Sequence, residues 1–227
     1  MTALLHAYFL HSRPYRETSL LADVFTAEVG RIAGVWRGGR RSRQPSPQLF
    51  QPLLVDAQGN SDLRSLRQIE PAGPALGLSG TALFSGFYLN ELLNRLLPRD
   101  EAHVSLFVSY AHVLGELAEG APIESRLRFF EQELLLSLGY GIDYTHDADT
   151  GSTIDPAQYY DFHPERGFSR VPKGVSTFPG EVLLALAEGR SDMPDQLMAL
   201  KRIHRLALAK HLGGRPLKSR ELFLASR

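Results

Sequence analysis

The chain has 227 residues, 43% of them apolar and 9% aromatic, which is room for one large domain or two small ones with a real core. It contains no cysteine, which excludes a disulfide framework, a thiolate zinc site, an iron–sulfur cluster and a cysteine nucleophile. The formal net charge is zero but unevenly spread: +3 over residues 1–76, −6 over 77–147, −4 over 148–200 and +7 over 201–227, so two basic ends flank an acidic middle.

The first six residues carry no basic leader ahead of their short apolar stretch, and no apolar run approaches the ~18 residues of a membrane span. A soluble, cytoplasmic protein with no membrane contact is expected. Residues 4–11, 18–26 and 31–36 are rich in β-formers, with a turn at Glu28-Val29-Gly30. A Gly/Arg/Pro/Ser stretch over 38–47 interrupts the pattern, which resumes at 49–57 and 62–70. Five short strands in about seventy residues predict a small barrel, for which an OB-fold is the commonest candidate. Pro71-Ala72-Gly73-Pro74 then reads as a boundary.

From Ser79 the period changes to that of helices. Ser79 is placed to cap a helix over 79–97 that Pro98 stops, with Leu83, Phe87, Leu89, Leu92, Leu93 and Leu96 largely on one face. Helices follow over 101–119, 122–138, 179–188, 194–212 and 216–225, ended or separated by Gly120, Gly139 and Gly213-Gly214. Residues 140–178 show little periodicity and read as an irregular connector. The fold class is therefore mixed α+β: a five-stranded OB-fold barrel over 1–76 and a mainly helical domain over 77–227.

Enzyme signatures are absent from the sequence. Residues 34–41 (GVWRGGRR) have the glycine spacing of a phosphate loop, but Arg40 and Arg41 stand where Lys and Ser/Thr are needed, so a basic barrel loop is the better reading. His146, Asp147, Asp149, Asp155, Asp161 and His163 are hard ligands in one segment, yet they match no metal spacing and read as a polar connector. No catalytic residue, metal or cofactor is expected. The four aspartates keep open an alternative, a metal-dependent enzyme acting on nucleic acid.

The basic clusters carry more. Arg31, Arg37, Arg40, Arg41 and Arg43 lie in thirteen residues without an acid, and Trp36 among them is an aromatic that can stack on a base. The competing reading puts Trp36 in the core and leaves the arginines to keep a loop soluble. A second cluster comprises Lys201, Arg202, Arg205, Lys210, Arg215, Lys218 and Arg220. Both are assigned here to DNA binding. An OB-fold protein that binds RNA or works in translation would share the barrel and the arginine loop, but would leave the helical blocks unexplained.

Four blocks make a resemblance. LHSRPYRETSLLADVFTAEVGRIAGVWRGGRRSR (10–43), LSGTALFSGFYLNELLNRLLP (78–98), LGYGIDYTH (138–146) and HLGGRPLKSRELF (211–223) are similar to the RecO family of bacterial recombination mediators. The resemblance covers essentially the whole chain in order. It implies an N-terminal OB-fold and a helical domain, binding of single- and double-stranded DNA, and annealing of complementary strands. It also implies work with RecR to load RecA onto strands coated by the single-stranded-DNA-binding protein SSB, in the bacterial cytoplasm and at the nucleoid during repair. Many RecO proteins carry a four-cysteine zinc module where residues 140–178 stand, so this cysteine-free chain resembles the zinc-less branch.

A receptor for the acidic, Phe-ending tail of SSB needs an apolar groove with a cation at its rim. The helix over 122–138 offers Arg126 and Arg128 beside Leu127, Phe130 and Leu134, and the resemblance favours Arg128 as the carboxylate partner. The alternative pairs Arg128 with Glu124 or Glu131 on its own helix.

Overall fold

The computed structural model describes residues 4–39 and 47–225. Strands β1 (Leu5–Tyr15), β2 (Ser19–Thr26), β3 (Gly30–Trp36), β4 (Leu53–Gln58) and β5 (Arg64–Pro71) close a barrel in the order β1-β2-β3-β5-β4. All pairs are antiparallel except β3 with β5, which run parallel, the arrangement of an OB-fold. Alternation fills the interior: Ala7 and Phe9, Ala22 and Val24, Ile32 and Trp36, Leu53 and Val55, Leu66 and Ile69 form one core. Gly30 is obligatory. Its φ is +75°, and a Cβ there would lie 1.7 Å from the Glu101 carbonyl oxygen.

The β1–β2 register shifts between Phe9 and His11, so Leu10 is an extra residue in the ladder. Its carbonyl accepts a bond from Asn90 Nδ2 at 3.1 Å, and Tyr110 Oη donates to Asn90 Oδ1 at 2.6 Å. Those two side chains lie on helices α1 (Gly80–Leu96) and α2 (Val104–Ala118), which they pin to the barrel. Tyr8, Phe25, Phe107 and Tyr110 pack around the tie as tilted and edge-on rings. Ser79 does occupy the N-cap position of α1, but its side chain makes no capping bond. The helix ends at Leu97, whose extended ψ of 133° is what a following proline demands.

Helix α3 (Ile123–Ser137) is followed by strands β6 (Tyr159–His163), β7 (Gly167–Val171) and β8 (Phe178–Pro179), then helices α4 (Gly180–Ala187), α5 (Pro194–His211) and α6 (Lys218–Ala225). The chain separates into two compact units: the described residues up to Ile123 together with those from Leu217 onward, and Glu124–Pro216. Helix α6 therefore belongs with the barrel unit, where Phe223 meets Phe84 of α1 edge-on. Glu91 of α1 accepts the backbone N–H groups of Lys218 and Ser219 and the Ser219 hydroxyl at the start of α6. Burial would raise the Glu91 pKa, but these bonds and Arg95 hold it below the ordinary value.

In the second unit, the expectation of an irregular connector over 140–178 is corrected. Strands β7-β6-β8 form a small antiparallel sheet. Tyr160, Phe162, Phe168 and Phe178 turn inward from it, and Phe168 is ringed by Tyr144, Phe162 and Phe178. The strands are too short, at 5, 5 and 2 residues, for a period to register in the sequence. Upstream, buried Asp147 receives the N–H groups of Asp149 (2.8 Å) and Thr150 (3.1 Å) on one oxygen and that of Arg170 (3.1 Å) on the other. Desolvation opposes ionisation here, yet these bonds keep the Asp147 pKa below the usual carboxylate range.

Candidate functional site

The β1–β2 connection is a tight turn, Arg16-Glu17-Thr18, closed by the pairing of Tyr15 with Ser19. The parallel register of β3 on β5 sets Gly34 opposite Arg64 and Val35 opposite Ser65. Together these place Tyr15, Arg16, Val35, Arg37, Leu63 and Arg64 around one cleft of about 810 Å³ on the barrel. Arg37 is exposed and has no ion pair or side-chain hydrogen bond among the described residues. Arg64 Nη2 lies 2.5 Å from Asp100 Oδ1. The Arg16 guanidinium sits 5.2 Å from the centroid of the Tyr15 ring. Among the described lining residues, three cations outnumber the Glu17 carboxylate beside one aromatic, and such a concave surface suits an anionic chain that carries flat groups.

Two residues of the first cluster are placed otherwise than a DNA contact needs. Trp36 is 7% exposed and belongs to the barrel core, so stacking on a base is corrected to packing. Its spacing from Ile32 and Gly34 on the inward face was the signal available in the sequence. Arg31 donates from Nε to the Leu97 carbonyl at 2.9 Å and lies 3.7 Å from Asp23. Burial and nearby Arg99 draw its pKa down, while Asp23 and Asp100 pull it back. Arg40, Arg41 and Arg43 lie outside the described residues. Sequence reasoning passed over Tyr15, Arg16 and Arg64, because no local pattern marks what a turn and a parallel register bring together.

The second cluster is divided. Lys218 and Arg220 are exposed on α6 of the barrel unit. In the second unit Lys201 pairs with Glu124 at 3.2 Å and Lys210 pairs with Glu165. Arg202 donates to the Ser176 carbonyl, with its guanidinium 4.2 Å from the Phe178 ring centroid. Arg205 and Arg215 are exposed.

Helix α3 does not open a groove along the expected residues. Leu127, Phe130 and Leu134 are buried in the unit's core. Arg128 is 6% exposed and bonds Glu131 at 2.7 Å, with Glu124 at 3.6 Å, which is the competing reading of that residue. Glu131 passes the contact to His204 Nδ1 at 3.2 Å, and His204 Nε2 lies 3.4 Å from the Tyr144 hydroxyl. Burial pushes the Tyr144 pKa well up, so it stays a neutral hydrogen-bonding group. Beside this chain lies a small pocket of about 100 Å³, walled by Leu135, Leu136, Ile142 and Tyr144.

The hard ligands of the connector have other partners. Asp147 is occupied by backbone N–H groups, Asp149 pairs with Arg166, and His146 lies 2.9 Å from Asp143. Asp155 accepts from the Ala157 N–H, and His163 faces Asp161 at 3.8 Å. Among the described residues, no three such side chains converge as a metal site would require. Nor is any described helix long and apolar enough to cross a membrane.

Two family descriptions match the chain: Recombination protein O N terminal over residues 1–75 and Recombination protein O C terminal over residues 78–221. The helical blocks that a bare RNA-binding barrel leaves unexplained fall inside the second, apart from the last two residues of the block over 211–223. The chain is 43% identical over 225 residues to the DNA repair protein RecO of Vibrio atlanticus, covering 97% of this chain and 93% of the relative. It is 43% identical to that of Photobacterium profundum (99% and 97% covered) and 41% identical to that of Aliivibrio salmonicida (97% and 95%). A cationic OB-fold barrel, a helical region in series with it and full-length similarity agree: the chain belongs to the RecO family of DNA repair proteins.

Proposed function

We propose that this protein is a recombination mediator that binds single- and double-stranded DNA, anneals complementary strands and, with RecR, helps load RecA onto SSB-coated strands. The observation that carries the reading is the barrel cleft, where Arg37 faces solvent beside Arg16 and Arg64, without a partner among the described residues. Arg40, Arg41 and Arg43 extend the same basic segment. Phosphate repulsion opposes strand pairing, and a cationic surface screens it while two strands are held close. Exposed Lys218 and Arg220 on α6, and separately Arg205 and Arg215 in the second unit, are the cations proposed for the second strand. The reading assigns no covalent step, nucleotide or metal, and places the work in the bacterial cytoplasm.

The SSB tail is assigned to the second unit. Its terminal ring fits the pocket of Leu135, Leu136 and Ile142 better than the buried face of Leu127, Phe130 and Leu134, with Arg126 rather than the buried Arg128 as the positive charge on α3. Tail-peptide binding should weaken in Leu136→Glu.

Strand annealing, with and without SSB coating and without nucleotide, tests the whole reading. With ~5 phosphates neutralised, log K on single strands should fall with log salt at a slope of about −3.5. A requirement for ATP, or annealing no faster than in the protein's absence, overturns it.

A further inference from the structure

We infer that Tyr15 and Arg16 form a base-stacking subsite that makes the barrel cleft select unpaired strands; the inference rests on the reading of that cleft as a DNA surface. Tyr15 is the one aromatic among the side chains that line the cleft. Its position is fixed by the ladder, since it ends β1 and pairs with Ser19 across the turn. Arg16 has φ +53°, in the left-handed region that a long side chain rarely occupies. Gly or Asn would take that turn position with less strain, yet the chain has an arginine there, and backbone strain of this kind gathers at functional positions.

The result is a flat cation held over an aromatic face, 5.2 Å from its centroid. A nucleobase has the same flat outline and stacks on an aromatic ring more strongly than an exposed guanidinium does. A base entering the cleft takes the place of the guanidinium, which is then left beside the phosphate that flanks the base. Arg37 on the opposite wall attracts phosphates of any strand. Tyr15 discriminates: in a duplex both faces of each base are covered by its neighbours, so only an unpaired base offers a face to the ring.

The test uses the full chain as wild type, Tyr15→Leu, Tyr15→Phe and Arg37→Ala, with melting curves to establish folding. The probes are a single-stranded oligonucleotide, the same length with abasic sites, a duplex, and a single strand carrying 2-aminopurine, whose fluorescence drops on stacking. Tyr15→Leu should bind the single strand roughly tenfold more weakly and lose the quench. It should no longer distinguish normal from abasic strands, and its duplex affinity should match wild type. Tyr15→Phe should behave as wild type. If Arg37→Ala weakens binding while Tyr15→Leu keeps full affinity and quench, the cleft holds DNA but the stacking subsite is wrong. Equal losses on single strand and duplex also overturn it. A wild-type protein that binds none of the probes sinks both the subsite and the DNA reading.

Discussion

Arg37 of the barrel cleft and four cations of the second unit look alike in the sequence and differ in employment. In the second unit Arg128, Arg202, Lys201 and Lys210 each meet a carboxylate, a carbonyl or an aromatic face. At the cleft Arg64 is engaged as well, by Asp100, and Arg16 lies over Tyr15, whereas Arg37 meets solvent. A charge already engaged inside the fold adds to stability or to specificity, and it must be released before it can bind anything else. The available charge of a surface is therefore smaller than its arginine and lysine count.

The sharpest way to break this contrast is Arg128→Met. Removing one partner of a buried pair takes the guanidinium from Glu131, and should cost about 3–5 kcal/mol in chemical denaturation. Arg128→Met combined with Glu131→Leu should recover much of the loss. An Arg128→Met protein of normal stability would mean that the pair is open to solvent and free for a ligand.

A smaller effect is expected at Asp147, which loses three backbone bonds in Asp147→Ala, for about 1–3 kcal/mol. Its folded pKa lies below the unfolded value, so its contribution is complete above the ordinary aspartate pKa of ~3.9 and is lost as pH falls through the folded pKa. The gap in stability between wild type and variant should be constant near neutrality and narrow below about pH 4. A gap that widens in acid contradicts the assignment.

The least change in stability belongs to Arg37→Ala, within about 0.5 kcal/mol of wild type. That variant should instead lose affinity for single strands and about 0.7 from the salt slope. Lys210→Ala, which removes a surface ion pair, should alter neither property much. If Lys210→Ala weakens DNA binding as Arg37→Ala does, the pair with Glu165 opens on binding and the contrast between the regions disappears.

Most of the architecture was legible, because alternation and helical spacing are local. The helix bounds read from apolar spacing fall within a few residues of those observed, since Pro98, Gly120 and Gly139 act on their neighbours. β1 was read as ending at His11, yet it continues to Tyr15. The bulge at Leu10 resets the phase, and residues 11–14 are exposed on both faces, so no alternation survives to be read. The site was legible in part. The run of basic residues from Arg37 to Arg43 stands out in the sequence, although 40–43 lie outside the described residues, and Trp36 needed its inward parity weighed against its basic neighbours. The helical spacing of Arg128 with Leu127, Phe130, Glu131 and Leu134 was compatible with both a core and a groove. Only packing separates them.

Helix α6 has a bearing on the order in which this protein can be made. The barrel strands are all synthesised once residue 71 is added, but the face of α1 that receives α6 waits for residues 218–225. All of Glu124–Pro216 is synthesised in between. During that interval Phe84 lacks its Phe223 cover and the Glu91 carboxylate lacks the N–H groups it accepts. The first unit to begin is thus the last to finish, and a nascent chain halted in the second unit carries an incomplete first one.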